Sequence, residues 1–415
     1  MTLYDDIRHL WRQYANFYVV GNNHLKKLTF HTLMGIMLTY RNCSYTENAT
    51  PITTRYHLFI IQPSGTGKSQ ILKYLYELVK SLGIPCVKTL KDNEASITGS
   101  IERVKATGKI EKTEGILSWA FLLVYDEGSV LLGKPSRHTE NLTDNMQTAM
   151  DDPGFVSKGM KLGRVSYETK TTICTGSYMF KQFEHTLWTK GLLQRMGNSY
   201  KEFNEEEKRN MRIGVNLMKN NQNKERIIEL KKAFSVIMEQ LPKDREVVFD
   251  KNAVNKFNLK MEEVYNAYFH KTFEGPKQEI MDTFFNRLHL LIDKVAAQKC
   301  LVEGRSVVSY DDLIHGLREN EWHIQSLHNV FKKITIKNIV GEETRRENMV
   351  WQLIKPHTSG INQSALLLEL DKFKISGRWD LGVNKTLELL KEMSESGEKI
   401  VVAKGANNSR LYYAK

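Results

Sequence analysis

The sequence predicts an α/β protein built on a parallel sheet, and two observations carry that prediction. Short apolar or β-branched runs recur through the first half of the chain, at His57–Ile61, Pro85–Leu90, Ala120–Tyr125 and Thr171–Thr175. Helical stretches separate several of them, and strands that alternate with helices pack as a parallel sheet covered on both faces.

Residues 1–50 read as helical, with Leu3, Ile7, Leu10 and Trp11, then Phe30, Leu33, Met34, Met37 and Leu38, at helical spacing. Asn48–Thr54, with its proline and small polar residues, reads as a connector into the strand His57–Ile61. A Gly/Ser turn and a helix from about Lys68 to Ser81 follow, and Gly83–Pro85 stops that helix. From about Tyr200 to Val330 the pattern is mostly helical, over Ile227–Met238, Ala253–Phe269, Lys277–Cys300 and Tyr310–Leu317. Ile334–Glu343 reads as a linker. Beyond it, three short helical segments precede two alternating runs, Lys399–Ala403 and Ser409–Tyr413, around Gly405–Asn408. Three helices and a hairpin predict a winged helix-turn-helix. The expected divisions are an N-terminal helical segment (1–50), an αβα core (51–200), a helical region (201–333) and the winged helix (344–415).

A chain of 415 residues is long enough for two to four domains, and 41% hydrophobic with 26% charged residues is an ordinary globular composition. The four cysteines are scattered with no C-x-x-C pair, which argues against a zinc site or a disulfide framework and fits a reducing interior. The N-terminus lacks a signal pattern, and the longest nearly apolar run, Ile116–Tyr125, is far shorter than the roughly 20 residues of a membrane span. A soluble, cytoplasmic or nucleoid-associated protein is expected. A net charge of +12 and a pI near 9.2 point to a polyanionic partner such as nucleic acid.

The most specific motif is Gln62-Pro63-Ser64-Gly65-Thr66-Gly67-Lys68-Ser69, between a strand and a helix as a Walker A loop requires. Its glycines let backbone N–H groups curl toward phosphates at a helix N-terminus. Lys68 would reach the β- and γ-phosphates of ATP, and the Ser69 hydroxyl would ligate Mg2+. The usual first glycine is Gln62 here. The strand Phe121–Tyr125 runs into Asp126-Glu127, a Walker B pattern in which Asp126 holds the magnesium shell and Glu127 activates the attacking water.

On these motifs the chain resembles the AAA+ superfamily, and within it the clade with a pre-sensor hairpin and a helix-2 insert. The closer likeness is to MCM-like, self-loading replicative helicases of mobile elements, and it covers roughly His57–Val330. The resemblance implies several further roles. The segment 201–333 would be the helical lid. Phe155–Val165 would be the pre-sensor hairpin that reaches into a central pore, with Lys158, Lys161 and Arg164 meeting DNA phosphates without reading sequence. Arg103–Gly115 occupies the place of the helix-2 insert, and Lys105, Lys109 and Lys112 would be its DNA-facing cations. Ser177 would be sensor 1, with Thr175 a competing assignment. Gly191-Leu-Leu-Gln-Arg-Met196 looks like the G-L-L-x-R-F signature, so Arg195 would be an arginine finger projecting into the neighbouring subunit's site. Phe284–Ala296 resembles the helix carrying sensor 2, which would be Arg287.

The expectation is therefore an ATP-dependent DNA helicase or translocase of replication. It would act on a single strand or fork as a homo-oligomeric ring, possibly a hexamer, with replication proteins as partners. The alternative is an ATP-switched initiator or loader that grips duplex DNA through the winged helix. The segment Arg345–Lys415 holds 12 basic and 8 acidic residues, a modest excess for duplex binding. Only about 50 residues precede the expected core, so either another protein supplies the large N-terminal collar of many relatives or the chain is a minimal version of the machine.

Overall fold

His57–Ile61 is buried at all five positions, and the main sheet forms around it. The structure, a computed structural model, describes residues 2–19, 21–47, 49–89, 94–103, 110–125, 128, 142–160, 163–177, 191–220, 224–333, 340–375, 383–396, 400–404 and 409–414. It divides into two units, Met1–Ile334 and Thr335–Lys415.

The first unit runs α1 (Leu3–Asn16), α2 (Asn23–Tyr40), β1 (Ser44–Glu47), β2 (Thr50–Thr53), β3 (His57–Ile61), α3 (Lys68–Ser81), β4 (Cys86–Thr89) and α4 (Glu94–Thr98). It continues with β5 (Ser100–Arg103), β6 (Ile110–Thr113), β7 (Leu122–Tyr125), α5 (Leu142–Met150), β8 (Gly154–Met160), β9 (Gly163–Thr169), β10 (Thr172–Ser177) and β11 (Met196–Tyr200). The remainder is α6 (Glu205–Asn220), α7 (Lys224–Gln240), β12 (Glu246–Phe249), α8 (Lys251–Val264), α9 (Pro276–Val302), β13 (Val307–Val308) and α10 (Tyr310–Lys333).

Five strands form a parallel sheet in the order β11-β3-β10-β7-β4. The four strands from β11 to β7 are buried along their whole length, as expected when helices cover both faces. α2 is buried on nearly every side and lies against β3, β10 and β11, while α3 packs on β4, β7 and β10. The strand β11 escaped periodicity because Met196-Gly-Asn-Ser-Tyr200 has little apolar character. Its glycine is a packing requirement, since a Cβ at Gly197 would stand 2.5 Å from the ring of Tyr56.

Within the expected connector at Asn48–Thr54, Thr50–Thr53 instead form the strand β2. β1 and β2 pair antiparallel, and β1 also pairs in parallel with β12, in a second sheet of order β13-β12-β1-β2. Its parallel partner strand lies about 200 residues away (Ser44 pairs with Glu246, and the Thr46 hydroxyl donates to the Glu246 carboxylate), so no local pattern could announce it. The N-terminal helices belong to the same unit. Glu319 of α10, nearly buried, accepts from Arg8 of α1 at 2.9 Å and meets His31 of α2 at 3.0 Å.

Arg55, fully buried, joins the second sheet to the first. Its guanidinium donates to the carbonyls of Ala149, Thr169, Thr171 and Asp151, at 3.0, 3.1, 3.2 and 2.6 Å, and to Thr53 Oγ1 and Asp152 Oδ1. Lys294 of α9 grips the other oxygen of Asp152 at 2.8 Å. Burial by itself would raise the Asp152 pKa, but Lys294 and Arg55 beside it hold the carboxyl well below the usual range.

The second unit holds α11 (Val340–Ile354), β14 (Ile361–Asn362), α12 (Gln363–Ile375), α13 (Val383–Ser396), β15 (Ile400–Lys404) and β16 (Arg410–Ala414). Its sheet is antiparallel, in the order β14-β16-β15, and its core includes Val350, Ile354, Leu366, Leu390, Ile400 and Tyr412. The hairpin read from the sequence is present one residue later at each strand. The linker read at Ile334–Glu343 ends in α11 from Val340, and residues 334–339 lie outside the described residues. Among the described residues no helix is long and apolar enough to cross a membrane.

Removing one partner from a buried ion pair strands the other charge, at a cost of about 3–5 kcal/mol. Arg55→Ala is therefore expected to lower unfolding free energy by about that amount in chemical denaturation at neutral pH. Because the Asp152 pKa is depressed on folding, the stabilisation is complete above the unfolded value of about 3.9 and fades as pH falls below it. The difference between parent and variant should shrink in that acid range.

Candidate functional site

The carboxyl end of β3 opens into the Gln62–Ser69 loop, and α3 begins at Lys68. Gly65 and Gly67 have φ of +76° and +90°, conformations that side-chain-bearing residues rarely adopt. At Gly67 space is short as well, since a Cβ would sit 3.0 Å from Val19 Cγ1. Pro63, Ser64, Gly65 and Ser69 are exposed, so the outer loop and the first turn of α3 face solvent. Thr66 Oγ1 donates to Pro63 O at 2.9 Å and braces the turn.

Lys68 folds over this loop, with Nζ donating to Gln62 O at 2.7 Å and Pro63 O at 2.8 Å. Partial burial lowers its pKa to about 8. A half-desolvated ammonium beside an exposed turn at a helix N-terminus is an arrangement that attracts an anion.

Gln62, the departure from the usual glycine, is buried and bonded on both sides. Its Oε1 accepts from Asn22 Nδ2 at 3.0 Å, and its Nε2 donates to Ser199 Oγ of β11 at 3.3 Å. Asn22 also donates to Thr66 O at 3.0 Å. Sequence reading missed Asn22, although an asparagine ahead of an apolar helix is an N-cap signal.

β10 lies between β3 and β7, so its carboxyl end stands between the loop and the end of β7. Ser177 pairs with Ile61, and Thr175 pairs with both Phe59 and Tyr125. Thr175 and Ser177 point to one face of the sheet, as residues two apart must. Their hydroxyls are buried and find no hydrogen-bond partner among the described residues. Gly128 lies over them: its N–H donates to Gly176 O at 2.8 Å, and a Cβ there would be 3.1 Å from Thr175 Oγ1. Asp126 and Glu127 lie outside the described residues. Their sequence neighbours Tyr125 and Gly128 both stand against β10.

Arg195 ends a short 3-10 turn at the start of β11. Its guanidinium makes a two-point ion pair with Asp151, Nε to Oδ1 at 2.5 Å and Nη2 to Oδ2 at 3.0 Å, and donates from Nη1 to Gly191 O at 2.8 Å. Arg287 of α9 approaches the same carboxylate, with Nη1 3.7 Å from Asp151 Oδ1. These groups border a cleft of about 230 Å3 shared with Tyr45, Glu47 and Lys294. The cleft is not at the loop. β11 and β3 are parallel, Met196 faces His57 and Tyr200 faces Ile61. Arg195 therefore sits at the amino edge of the sheet, and Lys68 at the carboxyl edge, roughly 15 Å away along the strands. Asp151 had no signal in the sequence, because it meets Arg195 across 44 residues.

The expected hairpin is present, with β8 paired to β9, and the segment read as a helix-2 insert is flanked by a second antiparallel pair, β5 with β6. They lie side by side, with Ile101 against Gly163 and Tyr167 Oη donating to Thr98 O at 3.1 Å. Arg164 and Lys112 are exposed. Lys158 is held within the chain by Glu94 at 2.8 Å. Lys105, Lys109 and Lys161 lie outside the described residues.

Compared with protein-family models and with curated proteins, the chain matches none.

With a pKa of about 8, Lys68 in the ligand-free chain should titrate below the ordinary lysine value of about 10.4. A bound polyanion favours the charged form and should move that titration upward. NMR of 13C-methylated lysines with and without inorganic triphosphate is expected to show one signal, lost in Lys68→Ala, behaving this way.

Proposed function

We propose that this chain is an AAA+ ATPase that hydrolyses ATP between neighbouring copies and uses the cycle to move along or open DNA during replication. The observation that carries this reading is the separation of Lys68 from the Arg195–Arg287 pair, at opposite edges of one parallel sheet. Two arginines that cannot reach their own loop suit a head-to-tail contact, in which the amino edge of one copy faces the carboxyl edge of the next. Repeated contacts of this type close into a ring, with a hexamer as the proposed size. In this reading the α6–α10 region acts as the lid and the second unit as a winged helix.

The chemistry follows from the residues of the loop. The exposed N–H groups at the start of α3 bind the phosphates, and Lys68 exchanges its two carbonyl partners for β- and γ-phosphate oxygens. Ser69, exposed on the first turn, and Asp126 would hold Mg2+, which neutralises charge on those oxygens. Glu127 takes a proton from water as its oxygen attacks the γ-phosphorus, and the bond to the ADP oxygen breaks. The hydroxyls of Thr175 and Ser177, without a hydrogen-bond partner among the described residues, would offer a donor to the γ-phosphate or the water. Arg195 and Arg287 of the next copy would leave Asp151 and meet the charge building on the transferred group.

The two adjacent hairpins supply the DNA-facing part, with Arg164 and Lys112 exposed to backbone phosphates. The initiator alternative is less well supported. α13, in the recognition-helix position, carries two lysines and three glutamates. That balance is poor for gripping a duplex backbone.

Subunit mixing tests the proposal. Lys68→Ala and Arg195→Ala should each reduce ATP turnover by at least about a hundredfold. Mixed in equal amounts, they should recover about a quarter of the parent rate, because a random head-to-tail ring then contains some intact interfaces. A mixture as inactive as its components, or an active Arg195→Ala protein, would contradict a shared site.

A further inference from the structure

We propose that Asn22 is a positioning residue for the nucleotide, whose side chain clasps the Gln62–Ser69 loop in its ligand-ready shape before ligand arrives. The inference rests on the reading of that loop as a nucleotide site.

The Asn22 carboxamide is fully buried, and all three of its polar groups have work. One N–H goes to Gln62 Oε1 and one to Thr66 O, both at 3.0 Å. The oxygen accepts from Leu25 N at 3.3 Å and caps α2. Two points of the loop, its first residue and its fifth, are thus tied to one side chain outside it. Gln62 extends the tie to β11 through Ser199. Val19, three residues earlier, closes the remaining space against Gly67.

The geometry orients a donor as well as restraining the loop. In a trans peptide the carbonyl and the following N–H point in opposite directions. With Thr66 O fixed on the Asn22 side, the Gly67 N–H is presented to the other side, into the turn. A clasp of this kind reduces the ordering that binding would otherwise require. It also accounts for Gln62, because glycine could not reach Asn22 or Ser199.

The two roles of Asn22 can be separated. Asn22→Ser retains an oxygen that caps α2 but has no N–H pair, and it adds no charge near the phosphates. Asn22→Ala removes both. In Asn22→Ser the loop peptide covering 62–69 should exchange its amides faster than in the nucleotide-free parent, with α2 unchanged. Affinity for a fluorescent ATP analogue with Mg2+ should fall about tenfold, the loss of roughly 1.4 kcal/mol, while kcat at saturation changes less than about twofold. Gln62→Ala should weaken binding similarly, and the double variant should add little further. Asn22→Ala should also speed exchange in the first turn of α2. If the parent binds the analogue and Asn22→Ser leaves both loop exchange and affinity unchanged, the clasp is overturned alone. If Asn22→Ser loosens the loop but the parent binds no nucleotide, the nucleotide reading falls, and the positioning role falls with it.

Discussion

The buried guanidinium of Arg55 is the constraint on which the amino edge of the main sheet depends. A buried cation is costly unless every donor is satisfied, and here the acceptors come from four pieces of chain. They are Thr53 of β2, the carboxyl end of α5 with the Asp151-Asp152 turn that follows it, the end of β9 and the residue before β10. The chain can satisfy Arg55 only by bringing the hairpin root, a core strand and the second sheet to one place. Asp152 passes the constraint to α9 through Lys294, and Asp151, next to it, receives Arg195. The hairpin and the arginine pair are thus fixed to the same turn.

The carboxyl edge is organised differently. Strand order rather than charge decides it, because β10 intervenes between β3 and β7 and brings two buried hydroxyls between the loop and the end of β7. Lys68 is the one cation described on the loop, and its carbonyl partners are groups it can give up to a phosphate without unfolding anything. One edge is rigid and ion-paired, and the other is poised to exchange partners. A head-to-tail contact between the two edges would couple nucleotide chemistry to the turn that carries the β8–β9 hairpin.

Much of this was legible in the sequence where the signal is local. Lys68–Ser81, the four apolar strands and the β8–β9 and β15–β16 hairpins follow from runs of side chains whose partners are nearby or whose burial is complete. The Gln62–Ser69 loop was legible because positive φ at Gly65 and Gly67 demands glycine. What was missed shares one cause. β1, β2 and β12 are short and partly polar, and the sheet they form exists only because β12 joins the β1–β2 hairpin from about 200 residues away. Gln62 looked like a defect in the motif until Asn22 and Ser199 stood beside it. Asp151 is one acid among many until its pairing with Arg195 is seen. Lys158 has the composition of a phosphate contact, yet Glu94 holds it.

The central claim is that one ATP is handled by two copies of the chain. Cryo-electron microscopy of the protein with Mg2+, a non-hydrolysable ATP analogue and forked DNA tests it most directly. A closed ring is expected, with the triphosphate on Gly65–Ser69 of one copy and Arg195 of its neighbour released from Asp151 and in hydrogen-bond range of the γ-phosphate. Particles that remain single copies with nucleotide bound and Arg195 still paired to Asp151 would contradict it.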